Sequence, residues 1–494
     1  MTAARAAAND SAMVDVRPVG YLVGWLVTAL GLSMALPLVA DLAAGSANAR
    51  VFATTAILVI VSGAVLAFAC SSGASARMGV QESFLLATGT WAVFPIFGAL
   101  PFWFGAPQAS FTDAFFEAMS GLTTTGATVF TSLDTLPPGT LLWRGMLQWF
   151  GGLGIVIVAM VFLPTLKVGG MQIFRSEAFD TMGKILPRAG EIALSLSLIY
   201  ALLTFLCFMA YVFTGMPAFD SAVHAMTTLA TGGMANHDLS FSVYGASAHY
   251  VATAFMLLAA LPFIRFLQFF AGDPKPIWRD PQIRGFLLVV AAFVTLLSAW
   301  LALVRPGPFE PAFREVLFNV VSIITGTGYS SADYDTWGSF AMTMFFVLGL
   351  IGGCSGSTAC SVKIFRYQLM LASVSAEVKR LHAPNRVFAP RYDGHPVSQR
   401  VLDSVMAFFM FFFLTLAVVA VMLVLVGLDP LTAISGSATA IANIGPGLGP
   451  VIGPAGNFST LPDAAKWILA ATMLVGRLEI LSVFVLFGAA FWRA

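Results

Sequence analysis

Ten long apolar runs dominate the chain, and shorter polar stretches separate them. The runs are 19–42, 51–70, 83–104, 141–163, 192–213, 250–270, 286–304, 340–364, 401–426 and 465–491. Each is close to the length of about 20 apolar residues that an α-helix needs to cross the hydrocarbon core of a bilayer. The pattern therefore predicts an all-α integral membrane protein with ten spans.

The last eight runs form four pairs, and a short stretch ending in glycine stands between the members of each pair. The four glycine segments are 123–126, 230–233, 325–328 and 442–445. Six positions before each final glycine stands a hydroxyl residue: Ser120, Thr227, Ser322 or Thr439. Thirteen positions before it stand Asp113, Asp220, Glu315 and Thr432, types that favour a helix N-terminus. These matched offsets indicate a fourfold internal repeat.

The stretch before each glycine segment is too short to cross the membrane. Residues 113–121 would extend roughly 14 Å as a helix, about half the hydrocarbon thickness. Such a segment enters the membrane and turns back. Backbone outside a helix at that depth must be buried in protein or face water. The repeat therefore predicts four re-entrant segments in a pseudo-fourfold arrangement around one pore.

The glycine segments are candidate ligands for a dehydrated monovalent cation, because backbone carbonyl groups can replace its water. Glycine permits the positive φ that such a turn needs, and the C-terminal end of a helix favours positive charge. The candidate ion-binding residues are Thr123, Thr124, Thr125, Gly126, Ala230, Thr231, Gly232, Gly233, Thr325, Gly326, Thr327, Gly328, Ala442, Asn443, Ile444 and Gly445. They include no carboxylate, which disfavours a divalent cation. The alternative is four glycine-rich turns that only join helices; the fourfold recurrence favours the ion site.

Composition and charge agree with a membrane protein. Hydrophobic residues make up 58% of the 494 residues and charged residues 10%, and the net charge is +1. This balance argues against nucleic acid as a partner. The four cysteines lack the spacing of a metal site, so we expect them to be packing residues.

Basic residues cluster in the loops that follow the first three pairs. They are Lys167, Arg175, Lys184, Arg188, Lys275, Arg279, Arg284, Arg366, Lys379, Arg380, Arg386, Arg391 and Arg400. The positive-inside rule makes these loops cytoplasmic, and with ten spans both termini are then cytoplasmic. Acidic residues lie on the opposite side: Asp113, Asp134, Asp220, Asp238, Glu310, Glu315, Asp333, Asp335, Asp429 and Asp463. They either attract cations or cap helices, and the two roles are compatible.

The run 340–364 contains a cluster of small residues that is poor material for an apolar helix. This gate stretch consists of Gly352, Gly353, Cys354, Ser355, Gly356, Ser357 and Thr358. Non-helical backbone at membrane depth favours a cavity lining. The alternative is a close contact between two helices, which small residues also allow.

Two cationic residues stand inside or beside the apolar runs. Arg477 lies within the last run, where a charge costs on the order of 2.5–3.5 kcal/mol at the bilayer centre, so it should face water or a partner. The alternative is an ion pair with another helix, or with Glu479 after distortion. Lys363 either supports the gate stretch or extends to the cytoplasmic edge.

Two histidines lie near the second glycine segment. His224 is expected to pack or hydrogen-bond, and His237 is a candidate for the outer mouth.

Several motifs together resemble the TrkH/TrkG potassium-uptake proteins, of the superfamily that includes KtrB and the plant HKT transporters. They are SGLTTTGAT at 120–128, LATGGMANHD at 229–238, GGCSGSTACSVKIFR at 352–366, NIGPGLG at 443–449 and VGRLE at 475–479. The resemblance implies two extra transmembrane helices (1–78) and four repeats (79–189, 190–283, 284–395, 396–494). It also implies a homodimer in the bacterial inner membrane and a cytosolic TrkA-type nucleotide-binding subunit.

The resemblance assigns roles to residues of this chain. It makes Gly126, Gly233, Gly328 and Gly445 filter glycines, and glycine at the first position resembles the potassium-selective pattern. It makes the gate stretch, together with Lys363 and Arg477, an intramembrane gate. The third segment departs from the family pattern, with Gly326 where a threonine-like residue is usual.

The sequence thus predicts a potassium uptake protein that is not an enzyme. A sodium-permeable or sodium- or proton-coupled transporter on the same scaffold is the alternative, and an organic-solute carrier fits less well because the repeats all run in the same direction. Potassium is the expected cargo. No organic cofactor is expected on this chain, since nucleotide would bind the regulatory partner. The basic loop 363–400 would dock that partner or contact membrane lipid.

Overall fold

Helices make up nearly all the regular structure that the computed structural model describes, which is residues 14–74, 78–162, 170, 189–305, 307–489 and 491–493. Within those residues the only sheet is a hairpin of β1 (Arg391–Tyr392) and β2 (His395–Pro396). The predicted basic residues Lys167, Arg175, Lys184 and Arg188 lie outside the described residues. The all-α fold predicted from the apolar runs is confirmed.

Two helices precede the repeats. The first is α1 (Arg17–Ser33), which continues after Met34 as α2 (Ala35–Ala43), and the second is α3 (Ala49–Ala69). Their backbones approach closely at Gly24, where a Cβ atom would lie 2.5 Å from the amide nitrogen of Ala67. Small residues allow this kind of contact between membrane helices.

The first repeat contains α4 (Val80–Gly98), α5 (Leu100–Phe104), α6 (Phe111–Leu122) and α7 (Pro138–Ile157). The side chain of Ser110 caps α6 by accepting a hydrogen bond from the amide of Asp113, at 3.1 Å. With 12 residues, α6 extends only about 18 Å and cannot cross the membrane. It is the short inner helix that the repeat predicts.

The other three repeats also place a short inner helix between longer helices, although the longer helices are broken at different positions. The second contains α8 (Ala189–Phe213), the short α9 (Ala218–Leu229), α10 (Ala246–Ala259) and α11 (Phe263–Phe270), and α12 (Lys275–Arg279) follows it. The third contains α13 (Pro281–Val304), the short α14 (Phe309–Thr325), α15 (Ser339–Gly349) and α16 (Ile364–His382). The fourth contains α17 (Gln399–Leu425), the short α18 (Pro430–Ala442), α19 (Gly449–Ile452), α20 (Asp463–Arg477) and α21 (Leu481–Phe484).

Two predicted spans bend sharply at breaks that the apolar pattern did not predict, and a third, 340–364, is interrupted at the gate stretch, where a continuous helix was not expected. Helices α10 and α11 meet at 91°, and α20 meets Leu481–Phe487 at 102°. Within the described chain, seven helices are long and apolar enough to cross a membrane, or nine if each bent pair is one span. Pro262 lacks an amide hydrogen and precedes α11, and Glu479 and Ile480 have φ of 62° and 47°. The apolar composition continues through these breaks and hides them.

A buried ion pair joins the first and second repeats. Arg144 Nε on α7 lies 2.8 Å from Glu117 Oε1 on α6, and both side chains are almost fully buried. Glu117 also accepts hydrogen bonds from Thr128 Oγ1 and the Val129 amide, each at 2.9 Å. Arg144 Nη1 donates to the Ala235 carbonyl at 2.8 Å. The pair therefore holds the chain that follows both the first and second glycine segments.

Replacing Arg144 should strongly destabilise the fold. We expect Arg144→Met to cost about 3–5 kcal/mol of unfolding free energy, because Glu117 would remain buried without its partner. Thermal unfolding in detergent measures the loss. Arg380→Met is the control: it breaks an exposed pair with Glu377 and should cost less than about 1 kcal/mol. Equal losses in the two variants would contradict a structural role for the buried pair.

Candidate cation site and intramembrane loop

The four glycine segments have the same backbone structure at the C-terminal ends of α6, α9, α14 and α18. In each, the amide before the final glycine donates to the carbonyl of the hydroxyl residue found in the repeat. The bonds run from Thr125 to Ser120, Gly232 to Thr227, and Thr327 to Ser322 at 2.9 Å, and from Ile444 to Thr439 at 3.1 Å. The hydroxyl residue therefore marks a fixed turn after each short helix.

Two residues in each segment adopt a left-handed conformation. The final glycines Gly126, Gly233, Gly328 and Gly445 have φ of 83°, 74°, 83° and 103°. The residues two positions earlier have φ of 51° at Thr124, 49° at Thr231, 75° at Gly326 and 52° at Asn443. Glycine adopts this conformation without steric cost. The departure at Gly326 therefore fits its backbone position.

The segments contact one another in a closed ring. A Cβ atom added to each final glycine would lie close to a carbonyl oxygen of the next segment. The distance is 2.0 Å from Gly126 to the Gly232 oxygen and 1.9 Å from Gly233 to the Thr327 oxygen. It is 2.0 Å from Gly328 to the Ile444 oxygen and 2.8 Å from Gly445 to the Thr125 oxygen, which closes the ring. The same atom on Gly126 would lie 3.6 Å from the Thr327 oxygen, across the ring. The structure thus brings all four segments around one axis and leaves room only for glycine at the final position.

Side chains support the ring from outside. Hydroxyl pairs connect Thr123 with Thr125 (2.8 Å) and Thr325 with Thr327 (2.7 Å). Asn443 Nδ2 donates to Thr125 Oγ1 at 2.9 Å, which joins the fourth segment to the first. These buried bonds limit how far the segments can move.

A buried glutamine supports the second segment. Gln148 Nε2 on α7 donates to the Gly232 carbonyl at 2.6 Å, and Gln148 Oε1 accepts from the Met234 amide at 3.1 Å. Sequence reasoning missed Gln148. The signal that could have found it is a polar residue within an apolar run, which Gln148 and Arg144 both are.

The residues predicted at the helix N-termini have mixed outcomes. Asp113 and Asp220 lie in the first turns of α6 and α9, as predicted. Glu315 does not: α14 begins at Phe309, so Glu310 occupies its first turn. In the fourth repeat the cap is Asp429, whose side chain accepts from the amides of Leu431 and Thr432 at 3.1 Å.

The gate stretch lies in a loop between α15 and α16, directly against the ends of the short helices. Its backbone bonds other segments: the Cys354 amide donates to the Ala260 carbonyl at 3.0 Å and the Phe263 amide to the Gly356 carbonyl at 2.9 Å. Just after it, the Ser361 amide donates to the Ala442 carbonyl at 2.9 Å. The alternative of a small-residue contact between two helices does not fit, because the backbone of the gate stretch is not helical.

Arg477 and Lys363 both point to this loop. Arg477 Nη1 contacts the Thr358 carbonyl at 3.3 Å and Cys360 Sγ at 2.6 Å. An ion pair between Arg477 and Glu479 is wrong, since Glu479 is hydrogen-bonded to Arg366. Lys363 Nζ donates to the Ala359 carbonyl, and its burial contradicts an extension to the cytoplasmic edge.

A histidine joins the loops that follow the first two glycine segments. His237 Nδ1 is hydrogen-bonded to Asp134, and its Nε2 lies 3.4 Å from Asp220 Oδ2. Burial lowers the pKa of His237, but the bonds to Asp134 and Asp220 outweigh burial, and the net shift is upward. The hydrogen bond from His237 lowers the pKa of Asp134. His224, by contrast, packs against Phe241 and bonds the Asp220 carbonyl at 2.8 Å, as predicted.

Comparison with known families identifies the fold. The family model for TrkH, described as a cation transport protein, matches residues 48–493. The chain belongs to the TrkH family. The crystal structure of the potassium transporter TrkH from Vibrio parahaemolyticus superposes with a TM-score of 0.89 at 33% identity, covering 97% of this chain and 100% of that one. The family assignment and the fold predicted from the motifs are confirmed.

Curated relatives span nearly the whole TrkH-family chain. The Trk system potassium uptake protein TrkI of Halomonas elongata is 44% identical over 474 residues, with 95% of each chain covered. The Trk system potassium uptake protein TrkH of Salmonella typhimurium is 36% identical over 484 residues, covering 97% of this chain and 99% of the relative. These relatives are transport proteins, which confirms that the chain belongs to a transporter family and not to an enzyme family.

The stability of this TrkH-family chain should depend on His237. Its pKa is raised in the folded state, so its stabilising contribution is fully present below the ordinary histidine pKa of about 6.5. The contribution is lost as the pH rises through the raised folded pKa. We expect His237→Gln to lower the unfolding temperature at pH 6 and to have a smaller effect at pH 8.5. The exposed His382→Gln is the control, and an equal effect of His237→Gln at both pH values would contradict the prediction.

Proposed function

We propose that this chain conducts potassium into the cell as the membrane subunit of a Trk-type uptake system, with the ring of glycine segments as its selectivity filter. The ring of contacts between neighbouring carbonyl and glycine residues supports the proposal most directly. Carbonyl oxygens around one axis can replace the water of a monovalent cation. The names of the relatives, which are potassium uptake proteins, point the same way.

The short helices would favour a cation below the ring. The C-terminal ends of α6, α9, α14 and α18 all lead into the glycine segments. Each such end carries about half a negative charge, so four of them favour positive charge at the membrane centre. The membrane potential would then drive the ion inward, with about 2.3 kcal/mol per charge per 100 mV.

The gate stretch would control passage below the ring. The loop that contains it reaches the ring-side helix ends, because the Ser361 amide bonds Ala442 and the Cys360 amide lies 3.4 Å from the Thr325 carbonyl. The backbone of this loop is not helical and its bonds run to other segments, so a rearrangement of the loop would not need to unfold a helix. Arg477 and Lys363, which also contact the loop, would place positive charge near the path of the ion. We propose these residues as gating residues.

The family likeness and the charge pattern support a proposal for the assembly. We propose a homodimer in the bacterial inner membrane with both termini in the cytoplasm, and repeats at 79–189, 190–283, 284–395 and 396–494 after the N-terminal pair at 1–78. Nucleotide control would come from a TrkA-type subunit. The exposed basic residues that end α16 and follow it suit such a partner: Lys379, Arg380, Arg386, Arg391 and Arg400. Sodium permeation on the same scaffold is the alternative function.

Gly126→Ser tests the filter directly. A side chain there would clash with the Gly232 carbonyl oxygen and strain a φ of 83°, so the ring should open and discriminate less against sodium. Potassium, rubidium and sodium fluxes in liposomes that contain the purified protein measure selectivity. Gly245→Ser, at a glycine with nothing near its missing side chain, is the control. Unchanged selectivity of Gly126→Ser would contradict a filter role, and equal sodium and potassium flux in the wild type would favour the alternative.

Charge reversal tests the docking surface. We expect the triple variant Lys379→Glu, Arg380→Glu and Arg386→Glu to weaken binding of the TrkA-type subunit by at least about tenfold, since steering and pairing between charged surfaces depend on sign. Binding in detergent at two salt concentrations measures the change. The control is Arg305→Glu. Arg305 is exposed and follows the C-terminal end of α13, away from these basic residues, so its substitution should leave the affinity for the partner unchanged. Normal binding of the triple variant would mean that the partner docks elsewhere. Tight nucleotide binding by the isolated chain would contradict regulation through the partner.

A further inference from the structure

Two buried cationic side chains beside the gate stretch have no carboxylate partner. Lys363 and Arg477 expose only 7% and 5% of their surface. Glu479 lies on the same cavity, but its carboxylate is paired with Arg366. Among the ion pairs of the described residues, none includes Lys363 or Arg477. Buried charges are normally paired, so this excess of positive charge requires an explanation.

Much of the hydrogen-bonding capacity of these side chains is also unused. Lys363 Nζ donates to the Ala359 carbonyl. Arg477 contacts the Thr358 carbonyl and Cys360 Sγ through Nη1 alone. Its Nε and Nη2 atoms are buried and have no hydrogen-bond partner among the described atoms. A guanidinium has five N–H donors and no acceptor, so these atoms call for an electron-rich ligand.

A cavity of about 30 Å³ adjoins both cations. Its polar lining consists of Cys360, Ser361, Lys363, Asn443, Arg477 and Glu479, and its other walls are apolar residues of α7, α17, α18 and the start of α21. A space of ~10–15 Å³ holds one water molecule, so this cavity has room for a small ion or about two water molecules. The site is therefore built: it combines a cavity, two cationic side chains and unsatisfied donors.

We propose that this cavity binds one small inorganic anion, chloride in the cell, between Arg477 and Lys363. Water could accept the free N–H groups but would leave the charge unbalanced. A second cation would be repelled by both side chains. The thiol of Cys360 is the rival source of negative charge, because it lies 2.6 Å from Arg477 and would neutralise it as a thiolate. Chloride is the simpler occupant, since it is only slightly larger than water.

The anion would make the gate permissive for cations, a consequence that rests on the proposed function. Arg477 contacts the loop below the glycine segments, and its charge would repel a potassium ion that leaves the ring. A bound anion would cancel much of that repulsion while keeping Arg477 in place. Conduction should therefore depend on the anion present, although no anion crosses the membrane.

Chloride binding can be measured apart from transport. Line broadening of ³⁵Cl in nuclear magnetic resonance, with the purified full-length chain in detergent, reports saturable binding. We expect a saturable component in the wild type and in Arg477→Lys, and its loss in Arg477→Gln and Lys363→Gln. Arg284→Gln removes an exposed charge away from the cavity and should bind as the wild type does. No saturable component in the wild type, or its persistence in both glutamine variants, would overturn the proposal. If Arg477→Gln does not fold, Lys363→Gln decides the matter.

Transport with different anions tests the consequence, and Cys360→Ser separates the two sources of negative charge. In liposomes, replacing chloride by gluconate on both sides should lower potassium flux by about fivefold or more, the usual size of a coupling between sites. Cys360→Ser should keep this dependence. If Cys360→Ser alone creates chloride binding that the wild type lacks, the thiolate is the counter-charge and the proposal is wrong. If potassium flux is absent but ³⁵Cl binding persists, the proposed function fails and the anion site stands.

Discussion

The fold depends on one constraint: backbone that leaves a helix at membrane depth must find partners inside the protein. Each short inner helix ends in the membrane, and its final turn is fixed by an amide bond back to the hydroxyl residue of the repeat. The glycine segments then lie against one another, so that no segment faces lipid alone. The intramembrane loop obeys the same constraint by bonding Ala260, Ala442 and the end of α15. Among the described residues, the non-helical backbone of the glycine segments and of the intramembrane loop is buried where the four repeats meet.

The sequence predicted the parts of this arrangement that repeat. Apolar run lengths gave the membrane class, and matched offsets gave the glycine segments, whose convergence the structure displays. The breaks in α10–α11 and after α20 were not predicted, because hydropathy reports burial in lipid and not backbone direction. The misplacement of Glu315 has a similar cause: α14 is 17 residues long, and the fourfold offset implied a helix as short as α6.

Pairing of polar groups was the other part that the sequence left open. Glu117 with Arg144 and Glu479 with Arg366 are separated by 27 and 113 residues, so spacing along the chain cannot indicate which charges meet. For Arg477 the nearest carboxylate in sequence was the natural candidate, yet Glu479, which follows the end of α20 and has a φ of 62°, pairs with Arg366. A break in a helix thus decided an electrostatic pairing. Such pairings become visible only when the backbone path is known.

The four quarters of the ring are built from one chain and are not identical. Hydroxyl pairs support the first and third segments, which lie opposite each other. The amide of Gln148 contacts the second segment, and the fourth is held by its own Asn443, which donates to the Met473 carbonyl. In a channel of four identical subunits, any substitution in the filter would appear four times. In this chain one substitution changes one quarter of the ring and leaves the other three unchanged. Under the proposed filter role, ion selectivity could therefore evolve one quarter at a time, and the ring could become asymmetric without being lost.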